Sequence, residues 1–221
     1  MRSMYTYIEQ APSIARDIIA RRDALVGPLV EQFCGMAPKR LLIVASGSSY
    51  DIAMSMRPFM QRTLGIEVSV EWPMSYILYN HAQNDETFVL CMSQSGRSTN
   101  TIEAVRRAQA CGHHVAVLTC NPDAPMREYC EHVYAYGSGT EDYYVAKGFP
   151  TSCVYLALFA IEAARTMNVR GVEDCAALLS DVSAVVDDME DVYPAARSFA
   201  DKHLDAFVNA RRIMCVGIGA G

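Results

Sequence analysis

Two short segments of this chain put hydroxyl groups and a glycine where an anion is most easily held. One is Ser46-Gly47-Ser48-Ser49; the other is Ser93-Gln94-Ser95-Gly96-Arg97-Ser98-Thr99. Each follows an apolar, strand-like run, Arg40 to Ala45 in the first case and Phe88 to Met92 in the second. Each also precedes a stretch with helical spacing. The first turn of a helix leaves backbone N–H groups unpaired, and the aligned peptide dipoles add partial positive charge there. A phosphate at that end is stabilised without any lysine. Serine and threonine add neutral donors, and glycine lets the backbone come close. Ser93, Ser95, Ser98 and Thr99 suit that work, with Gly96 at the tight position, and Gly47, Ser48 and Ser49 suit it a second time. Helix capping alone would account for one such turn. Two of them, both at the carboxyl ends of expected strands, favour a bound anion.

The elements around these turns follow from periodicity. Apolar residues at Ile14, Ile18, Ile19, Leu25, Leu29 and Val30 predict helix over Ser13 to Gln32, bent at Gly27-Pro28. Strands are expected at Arg40–Ala45, Ile66–Val70, Phe88–Met92, His114–Thr119 and Val133–Tyr136. Helices are expected at Tyr50–Leu64, kinked or shortened by Pro58, at Thr101–Ala110, at Ala124–Glu131 and at Val154–Met167. This alternation implies an α/β fold, a three-layer sandwich with a five-stranded parallel sheet flanked by helices. In such sheets ligands sit at the carboxyl ends of the strands, near the point where strand order reverses.

Composition excludes several classes of function. The chain has 221 residues, 51% of them hydrophobic and 20% charged, enough apolar material for a sizeable buried core. A net charge of −6, with no basic stripe, argues against nucleic acid as a partner. Eight cysteines are scattered without any C-x-x-C pair, which favours reduced, buried thiols in a cytoplasmic protein over a disulfide framework. No metal site is expected, since the ligand spacing is missing and His113-His114 read as loop or strand-edge residues. Neither Gly-x-Gly-x-x-Gly nor the Walker A pattern occurs, so no nucleotide cofactor is expected. The start, MRSMYTYIEQ, has no signal-peptide core, and the apolar run Cys153–Ile161 is too short to span a bilayer, so no membrane partner is expected.

A weak internal repeat appears near the end of the chain. Lys39-Arg40-Leu41-Leu42-Ile43-Val44-Ala45-Ser46-Gly47-Ser48-Ser49 and Arg211-Arg212-Ile213-Met214-Cys215-Val216-Gly217-Ile218-Gly219-Ala220-Gly221 share two basic residues, an apolar run and a small-residue turn. The expected organisation is therefore a helical leader at 1–29, a main domain at 30–168, a helical linker at 169–207, and at 208–221 the first strand and glycine turn of a truncated second domain.

Several segments then carry a resemblance in order: Ser46-Gly47-Ser48-Ser49-Tyr50, Glu71-Trp72, Ser93-Gln94-Ser95-Gly96-Arg97-Ser98-Thr99-Asn100-Thr101, Gly139-Thr140-Glu141 and Val145-Ala146-Lys147-Gly148-Phe149. Together with the leader Ile8-Glu9-Gln10-Ala11-Pro12, they resemble the first sugar-isomerase (SIS) domain of the glucosamine-6-phosphate synthase and fructosamine deglycase group, without the glutaminase domain. The resemblance implies a flavodoxin-like fold and a site for a hexose or amino-hexose phosphate. Ser93, Gln94, Ser95 and Ser98 would bind the phosphate, and Ser48 and Ser49 would contact phosphate or sugar. Val145 and Ala146 would reach the sugar through their backbone, with Lys147 beside them. It also implies a homodimer or higher homo-oligomer, and acid–base residues (glutamate, histidine and lysine) lying beyond Gly221.

Two functions remain open at this point. One is an aldose/ketose phosphate isomerase, or a deglycase or deaminase, to which this chain supplies the phosphate-binding half. The other is a non-catalytic module that senses a phosphosugar. Glu141 and Lys147 are read as structural or interface residues rather than as an acid–base pair. Arg97 is either an anion ligand or a solvated helix-start cation. Glu71-Trp72 either closes the sugar site or packs at the sheet edge. Tyr76, Tyr79, Tyr134, Tyr136, Tyr143 and Tyr144 suit core and interface positions better than sugar stacking.

Overall fold

The computed structural model describes residues 4–81, 86–121, 123–142 and 145–214. The leader is helical: α1 (Met4–Ala20), a short α2 (Arg22–Leu25) and α3 (Gly27–Met36). Pro12 lies within α1, and Pro28 sits in the first turn of α3, where its missing N–H costs nothing. Then follow β1 (Arg40–Ala45), α4 (Ser48–Leu64), β2 (Glu67–Glu71) and a short α5 (Pro73–Ser75) that runs into a π-turn at Tyr76–Asn80. The chain continues through β3 (Thr87–Met92), α6 (Thr99–Ala110), β4 (His114–Thr119) and β5 (Val133–Ala135). Three further helices close it: α7 (Gly148–Thr166), α8 (Val172–Lys202) and α9 (Leu204–Asn209).

The five strands are all parallel in the order β2-β1-β3-β4-β5. The apolar runs of β1, β3 and β4 are continuous because both faces of the sheet are covered. Leu41, Ile43 and Ala45 face one core together with Phe88, Leu90, Met92, Ala116 and Leu118. Leu42, Val44, Val89, Cys91, Val115 and Val117 face the other. The first core is the thicker, filled by α1, α3, α4 and α7, while α6 and Tyr76-Ile77 cover the second. Helix α7 is buried almost all round from Val154 to Ala164, as expected of a helix packed between a sheet and further helices. Phe33 of α3 joins the layers, with T-shaped contacts to Phe88 at 5.2 Å and Phe159 at 5.1 Å. Helix α8 runs along the outside, and Arg16 of α1 pairs there with Asp187 at 3.0 Å and Glu190 at 2.5 Å.

Three sequence expectations are corrected. The helix expected over Ala124–Glu131 is only a 3-10 turn, Pro125–Glu128. Its bonds run between residues three apart, from the Arg127 N–H to the Ala124 carbonyl at 3.0 Å and from the Tyr129 N–H to the Met126 carbonyl at 3.1 Å, while the N–H of Met126 bonds outward to the Gly96 carbonyl at 3.2 Å. Helix α7 begins six residues before the expected Val154, because Pro150 is tolerated in a first turn. Pro58 does not shorten α4, which continues through it to Leu64. In the segment expected to begin a second domain, 208–209 end α9 and 210–214 carry no regular structure, while 215–221 lie outside the described residues.

Candidate functional site

Strand order reverses between β1 and β3, so the crevice of the sheet opens there. Ala45 and Met92 are register partners at the carboxyl ends of these strands, which sets the two hydroxyl-rich turns side by side. From them α4 and α6 leave toward opposite faces of the sheet, each with its amino end at the crevice. Gly47 precedes α4 with φ of 56°, and its carbonyl accepts the N–H groups of Tyr50 and Asp51. Ser48 is half-buried and Ser49 buried. Next to this turn the rings of Tyr50 and Trp72 stack at 4.3 Å, and Glu71 accepts the amide of Asn80 at 2.9 Å. Trp72 thus packs on Tyr50 at the sheet edge.

The second turn is tightly wound. Ser98 is the N-cap of α6: its hydroxyl accepts the Thr101 N–H at 3.4 Å and the Thr101 hydroxyl at 3.0 Å. The Ser95 hydroxyl accepts the Arg97 N–H at 3.2 Å. Gly96 has φ of 63°, and a Cβ there would lie 2.5 Å from that of Ala124, so only glycine fits both the backbone angle and the space. Ser93 is buried, and its N–H extends the sheet by bonding to the Leu118 carbonyl.

Beside this turn lies a cavity of about 370 Å³ lined by Gln94, Ser95, Arg97, Cys120, Asn121, Thr140, Glu141, Asp142 and Val145. Of the residues expected from sequence, Gln94, Ser95 and Val145 therefore line one cavity. Ser93 and Ser98 belong to the same turn, and Gly47, Ser48 and Ser49 stand on the adjacent one. The Gln94 side chain is committed within the protein. Its amide donates to the Ser152 hydroxyl at 3.1 Å and the Gly148 carbonyl at 3.4 Å, and its oxygen accepts the thiol of Cys120. Gln94 thereby ties the serine turn to the start of α7. Ala146 presents its N–H to Glu141, and Lys147 is buried with its ammonium over the Tyr7 ring.

Burial pushes the Cys120 thiol up to about 11; Glu141 adds to the rise, while the Ser138 hydroxyl and Lys147 oppose it. At neutral pH this sulfur is a protonated donor rather than a nucleophile. Tyr7, Cys120, Asn121 and Asp142 carry no site expectation from the sequence, and Thr140 enters there only within the segment Gly139-Thr140-Glu141. Cys120-Asn121 directly follow β4, so the rule that ligands gather at strand carboxyl ends already pointed to them. Tyr7 had no local signal. Among the described residues no group of three or more acidic, histidine or cysteine side chains could hold a metal ion.

Parallel strands in this order, with two helix starts meeting at the switch point, define a doubly wound α/β domain whose candidate site is the crevice itself. Within that class the chain belongs to the SIS domain family, whose model matches residues 37–167. Over 209 residues it is 26% identical to the isomerizing glutamine–fructose-6-phosphate aminotransferase of Methanothermobacter thermautotrophicus, covering 89% of this chain and 35% of that protein. Among solved structures, a Clostridium difficile 630 protein provisionally named a phosphosugar isomerase superposes with a TM-score of 0.87 at 23% identity, over 95% of this chain and 59% of that one. The C-terminal domain of the Francisella tularensis glucosamine-fructose-6-phosphate aminotransferase gives 0.73 at 20% identity, over 83% of this chain and 54% of that one. At such identities the structural likeness speaks for the fold alone. The chain thus spans about a third of the Methanothermobacter relative and somewhat over half of each solved chain.

Proposed function

We propose that this domain binds the phosphate of a hexose or amino-hexose phosphate in the switch-point crevice. In this reading it forms the phosphate-holding part of an aldose/ketose isomerase or of a deglycase or deaminase. The observation that carries the reading is the pairing of two hydroxyl-rich helix starts, Gly47–Ser49 and Ser93–Ser98, across the reversal in strand order. The serine hydroxyls and helix-start N–H groups hold the phosphate, while Thr140 and Val145 face the sugar from the far side of the cavity. Sugar-phosphate isomerisation needs a carboxylate to move a proton between neighbouring carbons. Glu141 is a poor choice, since both its oxygens already accept backbone N–H groups. The acid–base residues then come from a second domain or a partner copy, and a homo-oligomer in the cytoplasm is the setting we favour. All seven described cysteines are free, which suits a reducing compartment.

Calorimetric titration with fructose 6-phosphate and glucosamine 6-phosphate, using inorganic phosphate as the control, tests this reading. Sugar phosphates are expected to bind more tightly than the control. The double variant Ser93→Ala, Ser95→Ala is expected to lose at least about tenfold in affinity, the scale of one or more lost charge-assisted hydrogen bonds. Unchanged affinity in a folded double variant would rule out the serine turn as the phosphate site. A second reading, a non-catalytic phosphosugar sensor, is favoured by the engagement of the cavity's carboxylates in holding its wall. Isomerase, deglycase and deaminase assays on the full-length gene product separate the two.

A further inference from the structure

Three long helices, α4, α6 and α7, point their amino ends at the carboxyl edge of the sheet, but α7 is not free to take a ligand. Its end is already filled by the protein's own anion. The Glu141 carboxylate accepts the N–H groups of Ala146 at 2.9 Å, Lys147 at 2.9 Å and Gly148 at 2.6 Å. These are charge-assisted bonds on the positive end of a helix dipole, among the stronger hydrogen bonds a protein makes. The packing is close enough to require glycine at the third position. A Cβ on Gly148 would stand 2.6 Å from Glu141 Oε1 and 3.1 Å from Gln94 Oε1. The same carboxylate therefore sits where α7, the serine turn and the cavity wall converge.

The next residue is held from a distant part of the chain. Tyr7 of α1 is buried, donates its hydroxyl to Asp142 Oδ2 at 3.1 Å and accepts the Asp142 N–H at 3.0 Å. The Lys147 ammonium lies 5.3 Å from the centre of the Tyr7 ring, within cation–π range. Thr140, Asp142 and Val145, all lining the cavity, are thus flanked by two anchors: the Glu141 carboxylate on the helix end and the Tyr7 hydroxyl on Asp142.

We infer that Glu141 and Tyr7 are positioning residues that fix the sugar-facing wall of the cavity and so set the preference for a hexose phosphate over bare phosphate. The inference rests on the phosphosugar reading above. Its logic is spatial: inorganic phosphate is satisfied by the serine turn alone, whereas the hexose reaches the opposite wall. Loosening that wall then weakens the sugar phosphate and spares the phosphate.

The test compares dissociation constants for fructose 6-phosphate and inorganic phosphate in the wild-type chain, in Glu141→Gln and in Tyr7→Phe. Glu141→Gln keeps the shape but replaces one acceptor oxygen with an NH2 donor that faces backbone N–H donors, and Tyr7→Phe removes only the hydroxyl. Expected are a fall of about tenfold in fructose 6-phosphate affinity for Glu141→Gln and about threefold for Tyr7→Phe, with inorganic phosphate within about twofold in both. A folded variant pair that keeps the wild-type ratio overturns the inference, as does an equal loss for both ligands. Should Glu141→Gln fail to fold, Tyr7→Phe decides by the same ratio. A wild-type chain that does not prefer the hexose phosphate at all overturns the phosphosugar reading, and the positioning role with it.

Discussion

At the scale of single residues, Gly96 carries a conformational demand that no other residue type meets. Gly96 combines a left-handed backbone angle with a Cβ position only 2.5 Å from Ala124 and 3.0 Å from the Thr119 hydroxyl. Gly96→Ala is expected to cost about 2–4 kcal/mol, from backbone strain and overpacking together. Its melting temperature should fall by several degrees, measured by circular dichroism. A variant as stable as wild type would show that the turn can rearrange. The hydroxyls of the turn are less uniform than their sequence suggests: Ser98 caps α6 and Ser95 closes a local turn, so each does structural work whether or not a ligand is bound. Their types and spacing announced the turn, but which atoms remain free for a ligand depends on the backbone path.

At the scale of elements, the strands were legible and the helix ends were not. Leu41 to Ala45, Thr87 to Met92 and Val115 to Thr119 are buried throughout, so an unbroken apolar run sufficed to find β1, β3 and β4. The strongly apolar run that marks α7 in the sequence begins at Val154, whereas the helix itself begins at Gly148. The cap that allows the earlier start comes from Glu141, in a preceding loop that periodicity does not register. The helical layer is joined to the sheet through Phe33, which is fully buried between Phe88 and Phe159. Phe33→Ala should therefore destabilise the fold by about 3–5 kcal/mol, the cost of an unfilled aromatic site. Urea unfolding measures it, and a loss below about 1 kcal/mol would mean that α3 collapses to refill the gap.

At the scale of the whole molecule, the thiols make stability depend on alkaline pH. Burial raises Cys34, Cys120 and Cys153 from the ordinary 9.0 to about 11 each. A raised acid is held protonated in the fold while the unfolded chain loses its proton first. The thiols therefore contribute their full stabilisation below about pH 9, and lose it as pH rises toward 11. Melting temperature should accordingly decline across that window, and the triple variant Cys34→Ala, Cys120→Ala, Cys153→Ala should show a shallower decline. An identical slope in the triple variant would assign the alkaline loss to other groups, such as the buried Tyr136, whose hydroxyl is also raised by burial.

Sequence by itself determined the α/β class, the placing of the strands and the two hydroxyl turns, because each is a local property: an apolar run buried on two faces, or small donors at a helix start. The SIS resemblance rested on the same local motifs. Tertiary structure alone decided the order β2-β1-β3-β4-β5, which brings the two turns together at one switch point. It also committed the Gln94 side chain to Ser152 and joined Tyr7 to Asp142, 135 positions away in the chain. Such partners are chosen by how helices dock on the finished sheet. Their side chains carry no periodic signal, so residues that look unremarkable in the leader become part of the wall around the candidate site.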